Sequence, residues 1–150
     1  MRHPRVCIIV AAIILSSSGI RLNAQDKDTA LRHGGIENRR WRIAKYRGNS
    51  SQQTDEEGLI EAKARAEITF HYRIEGSAGC GALEGDYKLS GDHLTIHADF
   101  ALYGFCYPEQ EVQNRMVISA LKRSVRIEQR DDGILLRDRA GQIQILLVPY

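Results

Sequence analysis

The side chains best suited to chemistry fall between Glu75 and Cys106. Cys80 and Cys106 are two thiols that oxidation would join and a reducing compartment would leave free. A zinc site needs further Cys or His ligands at short spacing, and no second CxxC motif or suitably spaced His completes one. His93 and His97 would share one face of a helix, but the alternation around them marks a strand. There they stand roughly 13 Å apart, too far for a single ion. Ser90, Asp92 and His93 bring the residue types of a hydrolytic triad to one hairpin tip. Neighbours along a strand alternate faces, and turn chemistry explains the three more simply. The turn Gly76-Ser77-Ala78-Gly79 lacks the Lys-Ser/Thr and the following helix of a phosphate-cradling loop. The sequence therefore assigns no catalytic, metal-binding or cofactor-binding residue, and the expectation is a protein that is not an enzyme.

The compartment bears on the cysteines. Arg2, His3 and Arg5 precede an apolar run from Val6 to Leu15; Ser16 to Gly19 end it, and Leu22-Asn23-Ala24 leads into a polar stretch. This is the three-part pattern of a secretory signal over residues 1–24, with cleavage expected after Ala24. The run is short of the ~20 residues that span a bilayer; an uncleaved anchor is the competing reading. Cys7 opens the apolar run rather than ending it, so a lipid-anchored cysteine is not indicated. Loss of Arg2, Arg5 and Arg21 with no acid takes the formal charge from +2 to −1. A near-neutral domain offers no footprint for nucleic acid, and Arg39, Arg40 and Arg42 around Trp41 read as a solvated strand edge. Export to an oxidising compartment makes a Cys80–Cys106 disulfide the expected state, with the protein periplasmic or secreted.

The elements that position these residues follow from periodicity. Residues 25–38 are polar and broken by Gly34-Gly35, a flexible lead-in to a domain spanning 39–150. Trp41 to Tyr46 is a first strand, with Trp41 a core plug at the end of a sheet or barrel. Residues 47–58 form a loop, and Leu59 to Ala66 reads as a strand against a short-helix alternative. Glu67 to Glu75 alternates, placing Ile68, Phe70, Tyr72 and Ile74 on the buried face and His71 outside. Leu83 to Leu89 and Leu94 to Ala98 form a hairpin about Ser90-Gly91-Asp92, with Gly85 a bulge or close-approach site. The aromatics Phe100, Tyr103, Phe105 and Tyr107 surround Cys106, as packing or as a pocket mouth. A helix begins at Pro108 and ends near Arg123, with acids first and bases last. Its apolar stripe is Val112, Met116, Val117, Ala120 and Leu121. Turns at Arg130–Gly133 and Asp138–Gly141 then divide three closing strands of an antiparallel meander.

Trp41 in the first strand, AEITF, the GSAGC element, Gly85 with Tyr87, the hairpin, and Cys106 before the helix resemble the META domain, the family of the HslJ-type heat-shock-induced bacterial proteins. The resemblance covers Arg39 to Val148. It implies a mainly β, antiparallel, barrel-like sheet, distantly lipocalin-like, packed by a single α-helix. It implies an association with the bacterial envelope and stress response, and no established reaction. Two positions depart from the family: Gly81 stands where Asn follows the first cysteine, and Leu102 where Thr precedes the second.

The expected role is thus that of an exported, monomeric envelope protein acting through binding. One alternative is a carrier, with a small apolar ligand or lipid in a partly open barrel. Trp41, Phe70, Tyr72 and Tyr103, with Leu94 and Ile96, are the candidate lining. Another is an inhibitor or interaction module presenting loop 47–58 or 99–107 to an envelope protein.

Overall fold

The computed structural model describes residues 35–49, 54–55, 57–101 and 105–150. The signal-like segment 1–24, most of the 25–38 lead-in, Leu102 and Tyr103 lie outside the described residues.

The described residues form nine antiparallel strands and one helix: β1 (Arg40–Arg47), β2 (Leu59–Glu61), β3 (Glu67–Phe70), β4 (Ile74–Ser77), β5 (Ala82–Ser90), β6 (His93–Ala101), α1 (Pro108–Arg123), β7 (Arg126–Arg130), β8 (Gly133–Arg137) and β9 (Ile143–Pro149). Strands β3 to β9 pair in chain order, and β9 returns to β1 (Trp41↔Pro149, Ile43↔Leu147, Tyr46↔Ile145). The result is a closed barrel of eight strands. The other edge of β1 is shared: β3 takes its first half (Arg40↔Thr69) and β2 its second (Lys45↔Glu61). Each barrel strand is paired on both sides over at least part of its length, although β6 meets β7 only at His93↔Arg126.

The period-two pattern fills the inside. Ile43, Ile68, Phe70, Ile74, Leu83, Leu94, Ile96, Ile134, Leu136, Ile145 and Leu147 form one buried apolar cluster with Val117, Ala120 and Leu121 of α1. Trp41 joins it at 4% exposure, and its indole Nε1 donates to Ile36 O at 2.9 Å. Ile36 is itself fully buried, so the packed chain begins ahead of Arg39, where the polar sequence suggests a flexible lead-in. A second, smaller cluster of Leu59, Leu135 and Ile143 is distinct from it; β2, with Leu59, accounts for the burial of consecutive residues in β8.

Three expectations need correction. The alternation from Glu67 to Glu75 is not one strand: Phe70 ends β3, Ile74 opens β4, and His71-Tyr72-Arg73 is the turn between them. Phe70 and Ile74 still both face inward because they are cross-strand partners. Only Leu59–Glu61 of the expected 59–66 strand is β; the rest connects it to β3. On α1, Val112 is 37% exposed, while Gln113 and Asn114 are buried. The helix otherwise follows its sequence. Gln110 Oε1 accepts the Tyr107 backbone N–H at 3.0 Å, and Ser124 closes the last turn with its N–H on Ala120 O and Leu121 O.

Gly85 is a close-approach site without a bulge. A Cβ there would stand 2.3 Å from His97 O on the paired strand, so only glycine lets β5 and β6 meet at that point.

Candidate functional site

The expected disulfide is present. Cys80 and Cys106 are bonded with their Cα atoms 6.1 Å apart, joining the glycine turn to the start of α1. The candidate lining residues do not converge. Trp41 and Phe70 are core; Tyr72, expected inside, is 78% exposed because it tips the β3–β4 turn; Tyr103 lies outside the described residues. Leu94 and Ile96 point inward as expected and are packed as core. Of the aromatics beside Cys106, Phe105 and Tyr107 are both exposed and meet edge to face at 5.5 Å.

His93 and His97 stand on the outer face of β6, and no cluster of metal-ligating side chains occurs among the described residues. Ser90 and His93 are cross-strand partners on the same face, contrary to the alternation argument that would separate them. Both are exposed, and no hydrogen bond links them to each other or to the Asp92 carboxylate. His71 Nδ1 meets Asn38 Oδ1, and its backbone carbonyl accepts the Tyr87 hydroxyl at 2.6 Å. Glu37 Oε1 lies 2.9 Å from the same hydroxyl, so the two acceptors share its one proton. Burial, then the Glu37 carboxylate, pushes the Tyr87 phenol up to about 12, so it is a proton-holding tie between the domain start and the β3–β4 turn.

Two polar constructions on α1 escaped the sequence reading. The first is a clamp. Gln113, 3% exposed, donates through Nε2 to Ala64 O at 2.9 Å and Ala78 O at 3.0 Å, and accepts from Ala64 N at 3.0 Å. Asn114, fully buried, donates to Cys80 O at 2.6 Å and accepts from Cys80 N at 3.1 Å. Its Nδ2 also lies 3.4 Å from Cys80 Sγ. Gly79 makes room for both amides: a Cβ would sit 2.9 Å from Gln113 Nε2 and 3.3 Å from Asn114 Oδ1, at a φ of 141°. The clamp satisfies the backbone of a turn that no strand neighbour serves.

The second is a groove of about 670 Å³ between α1, the end of β1 and the β8–β9 turn. At 100° per residue, Val112, Met116, Ser119 and Arg123 form a stripe on the side of α1 opposite the clamp. Arg47 and Gln144 stand across from them. Successive residues of β9 hold two guanidiniums: Arg47 Nε donates to Ile143 O at 2.6 Å, and Arg123 Nε donates to Gln144 Oε1 at 2.9 Å. Arg47 further donates to Glu57 O, and Arg123 to Ser119 Oγ. Among the described residues neither guanidinium is ion-paired with a carboxylate. The groove's own acid, Asp138, is committed elsewhere. Its Oδ1 accepts Ala140 N and Gln142 N, both at 2.9 Å, and its Oδ2 accepts Gln144 Nε2 at 2.8 Å. The arrangement can hold an anion beside an apolar strip; its side chains make no nucleophile–base pair. The sequence carries no local signal for it: Arg123 falls at the same helical angle as Val112 and Met116, which the apolar-stripe reading sends to the core.

The fold and both constructions can now be set against known proteins. A protein from Burkholderia xenovorans, solved by NMR, is similar over 100% of this chain and 98% of its own, with 13% identity and a TM-score of 0.58. A duf4847 family protein from Bacteroides vulgatus, solved by crystallography, is similar over 75% of this chain and 93% of its own, with 14% identity and a TM-score of 0.50. At these identities the likeness is one of fold. No curated protein matches the chain. The META domain matches residues 34–148, and the chain belongs to that family. The matched span begins before Arg39, as the burial of Ile36 does. Gly81 has a φ of 75°, in the left-handed region where Gly and Asn settle most readily.

Proposed function

We propose that this META-domain chain is an exported envelope protein that acts by binding, without covalent chemistry, through its outer surface rather than through a barrel cavity. The observation that carries this reading is the continuous apolar cluster inside the barrel. Phe70, Leu94 and Ile96, which would line a carrier's cavity, are instead almost wholly buried against one another and their neighbours. A barrel of this size is filled by its own side chains when they are bulky and interdigitate. Export is supported by the basic–apolar–small pattern of residues 1–24 and by the Cys80–Cys106 bond, which an oxidising compartment maintains. Among the described residues no helix is long and apolar enough to cross a membrane.

Two measurements test the reading. Fractionation of the host with N-terminal sequencing should find the protein in the envelope or medium, beginning at Gln25; a cytosolic protein retaining Met1 would refute export. Native mass spectrometry of host-purified material should give the bare chain mass. A reproducible co-purifying lipid, displaced by a hydrophobic dye, would establish the carrier alternative instead.

A further inference from the structure

We infer that the groove beside α1 binds an extended acidic peptide segment, its carboxylates on Arg47, Arg115 and Arg123 and its apolar side chains on Val112 and Met116. This deepens the outer-surface reading above and rests on it. Among the described residues Arg47 and Arg123 are held by neutral acceptors only: two backbone carbonyls, an amide oxygen and a hydroxyl. A guanidinium fixed in place without a counterion retains its charge for an incoming oxyanion, which its fork meets with two parallel hydrogen bonds. The one carboxylate in the lining, Asp138, has both oxygens occupied by turn N–H groups and the Gln144 amide, so it pairs with neither arginine, and its single negative charge is outnumbered by the three guanidiniums. Arg115 faces only Glu111, at 3.8 Å on an exposed surface, a pairing readily exchanged.

The form of the site favours a peptide over a single small anion. From Val112 to Arg123 the helix advances about 16 Å, which an extended chain of about five residues matches. Along that length apolar and cationic side chains interleave, so a segment alternating apolar and acidic residues would satisfy both. The groove's volume is also within the range of sites that take ligands of this size.

The probe is an end-blocked, fluorescein-labelled pentapeptide alternating leucine and glutamate, titrated into the oxidised full chain and followed by anisotropy. The control carries glutamine for glutamate. The acidic peptide should bind about 10-fold or more tightly than its control at low salt, and the gap should close near ~0.5 M salt. Arg123→Gln should weaken the acidic peptide about 10-fold and leave the control unchanged, with Arg123→Lys between. Should Arg123→Gln lower the melting temperature, Arg115→Gln, whose ion pair is with Glu111 of its own helix, serves in its place. Equal binding of the two peptides, binding of neither, or undiminished affinity in a variant that melts like the parent would overturn the inference. So would displacement of the peptide by inorganic phosphate at equal concentration, which would mark a simple anion site. Native mass spectra of the same samples separate the two levels of failure. A lipid-loaded barrel would refute the outer-surface reading itself, whereas a bare barrel that ignores the peptide would remove only the peptide.

Discussion

The two sides of α1 handle polar groups in opposite ways. On the buried side, Gln113 and Asn114 meet backbone donors and acceptors one for one, and the Cys80–Cys106 bond closes the same turn covalently. On the other side, Arg47 and Arg123 are held still but left without a counter-charge among the described residues. The first arrangement maximises stability, since an unpartnered buried group costs more than a bond gains. The second keeps interaction capacity in reserve. The difference teaches where to expect structure and where to expect function on one sixteen-residue helix.

That contrast can be broken by substitution, and the buried side should respond most. Removing the disulfide through paired Cys80→Ala and Cys106→Ala changes should cost about 3.5 kcal/mol, from the loop-closure entropy of a 26-residue separation. Urea unfolding under oxidising conditions reads this, and a loss below ~1 kcal/mol would show that the clamp alone holds the turn. Asn114→Ala should cost about 3 kcal/mol, because it strands both the N–H and the carbonyl of Cys80. Hydrogen exchange should then quicken at Cys80 and little at β8; uniform acceleration would mean the barrel itself had loosened. Gln113→Ala should follow at about 2 kcal/mol, freeing the Ala64 and Ala78 backbone.

The groove side should barely respond. Arg123→Gln should change stability by less than ~1 kcal/mol while altering binding, the reverse of the clamp variants. A large destabilisation there would erase the distinction. The smallest effect should come from pH at the loop beyond Arg47. Burial alone would raise the Asp55 carboxyl, but hydrogen bonds from Leu59 N, Lys45 and Glu57 N outweigh it and hold it below the ordinary range. Its folded value being depressed, the contribution is complete above the ordinary carboxyl range and is lost as pH falls through the folded value. Asp55→Asn should therefore flatten the acid limb of the stability curve slightly, by under ~1 kcal/mol for so exposed a pair; an unchanged acid limb would mean that the loop is held without it.

The barrel was largely readable because alternation survives wherever a strand has one wet face. Ile68, Phe70, Leu94, Ile96, Ile145 and Leu147 all lie where a period of two puts them. It failed at Tyr72, where a turn built of His, Tyr and Arg carries no Gly, Pro or Asn to announce it. Ile36 was invisible as a single apolar residue in a polar stretch; it is buried in the core cluster, and its carbonyl accepts the indole N–H of Trp41 five residues on. The helix was legible in its ends but rotated in its face. An apolar-stripe reading sends Gln113 and Asn114 to solvent, and only the three-dimensional position of the Cys80 turn gives them partners. The groove depends on β9 meeting α1, a juxtaposition with no local sequence signal.

The pairing of β1 with β9 also sets a condition on timing. Trp41 and Pro149 are ladder partners, so the seam of the barrel joins its first strand to its last. A growing chain lacking β9 can form the β5–β6 hairpin and α1, yet it exposes hydrogen-bonding edges on both β1 and β8. Closure waits on β9, and the long-range seam makes folding slow compared with a helical protein of the same length. A chain that reaches its final compartment unfolded would meet this step there, with the two cysteines already close in sequence and free to bond before the ring is shut.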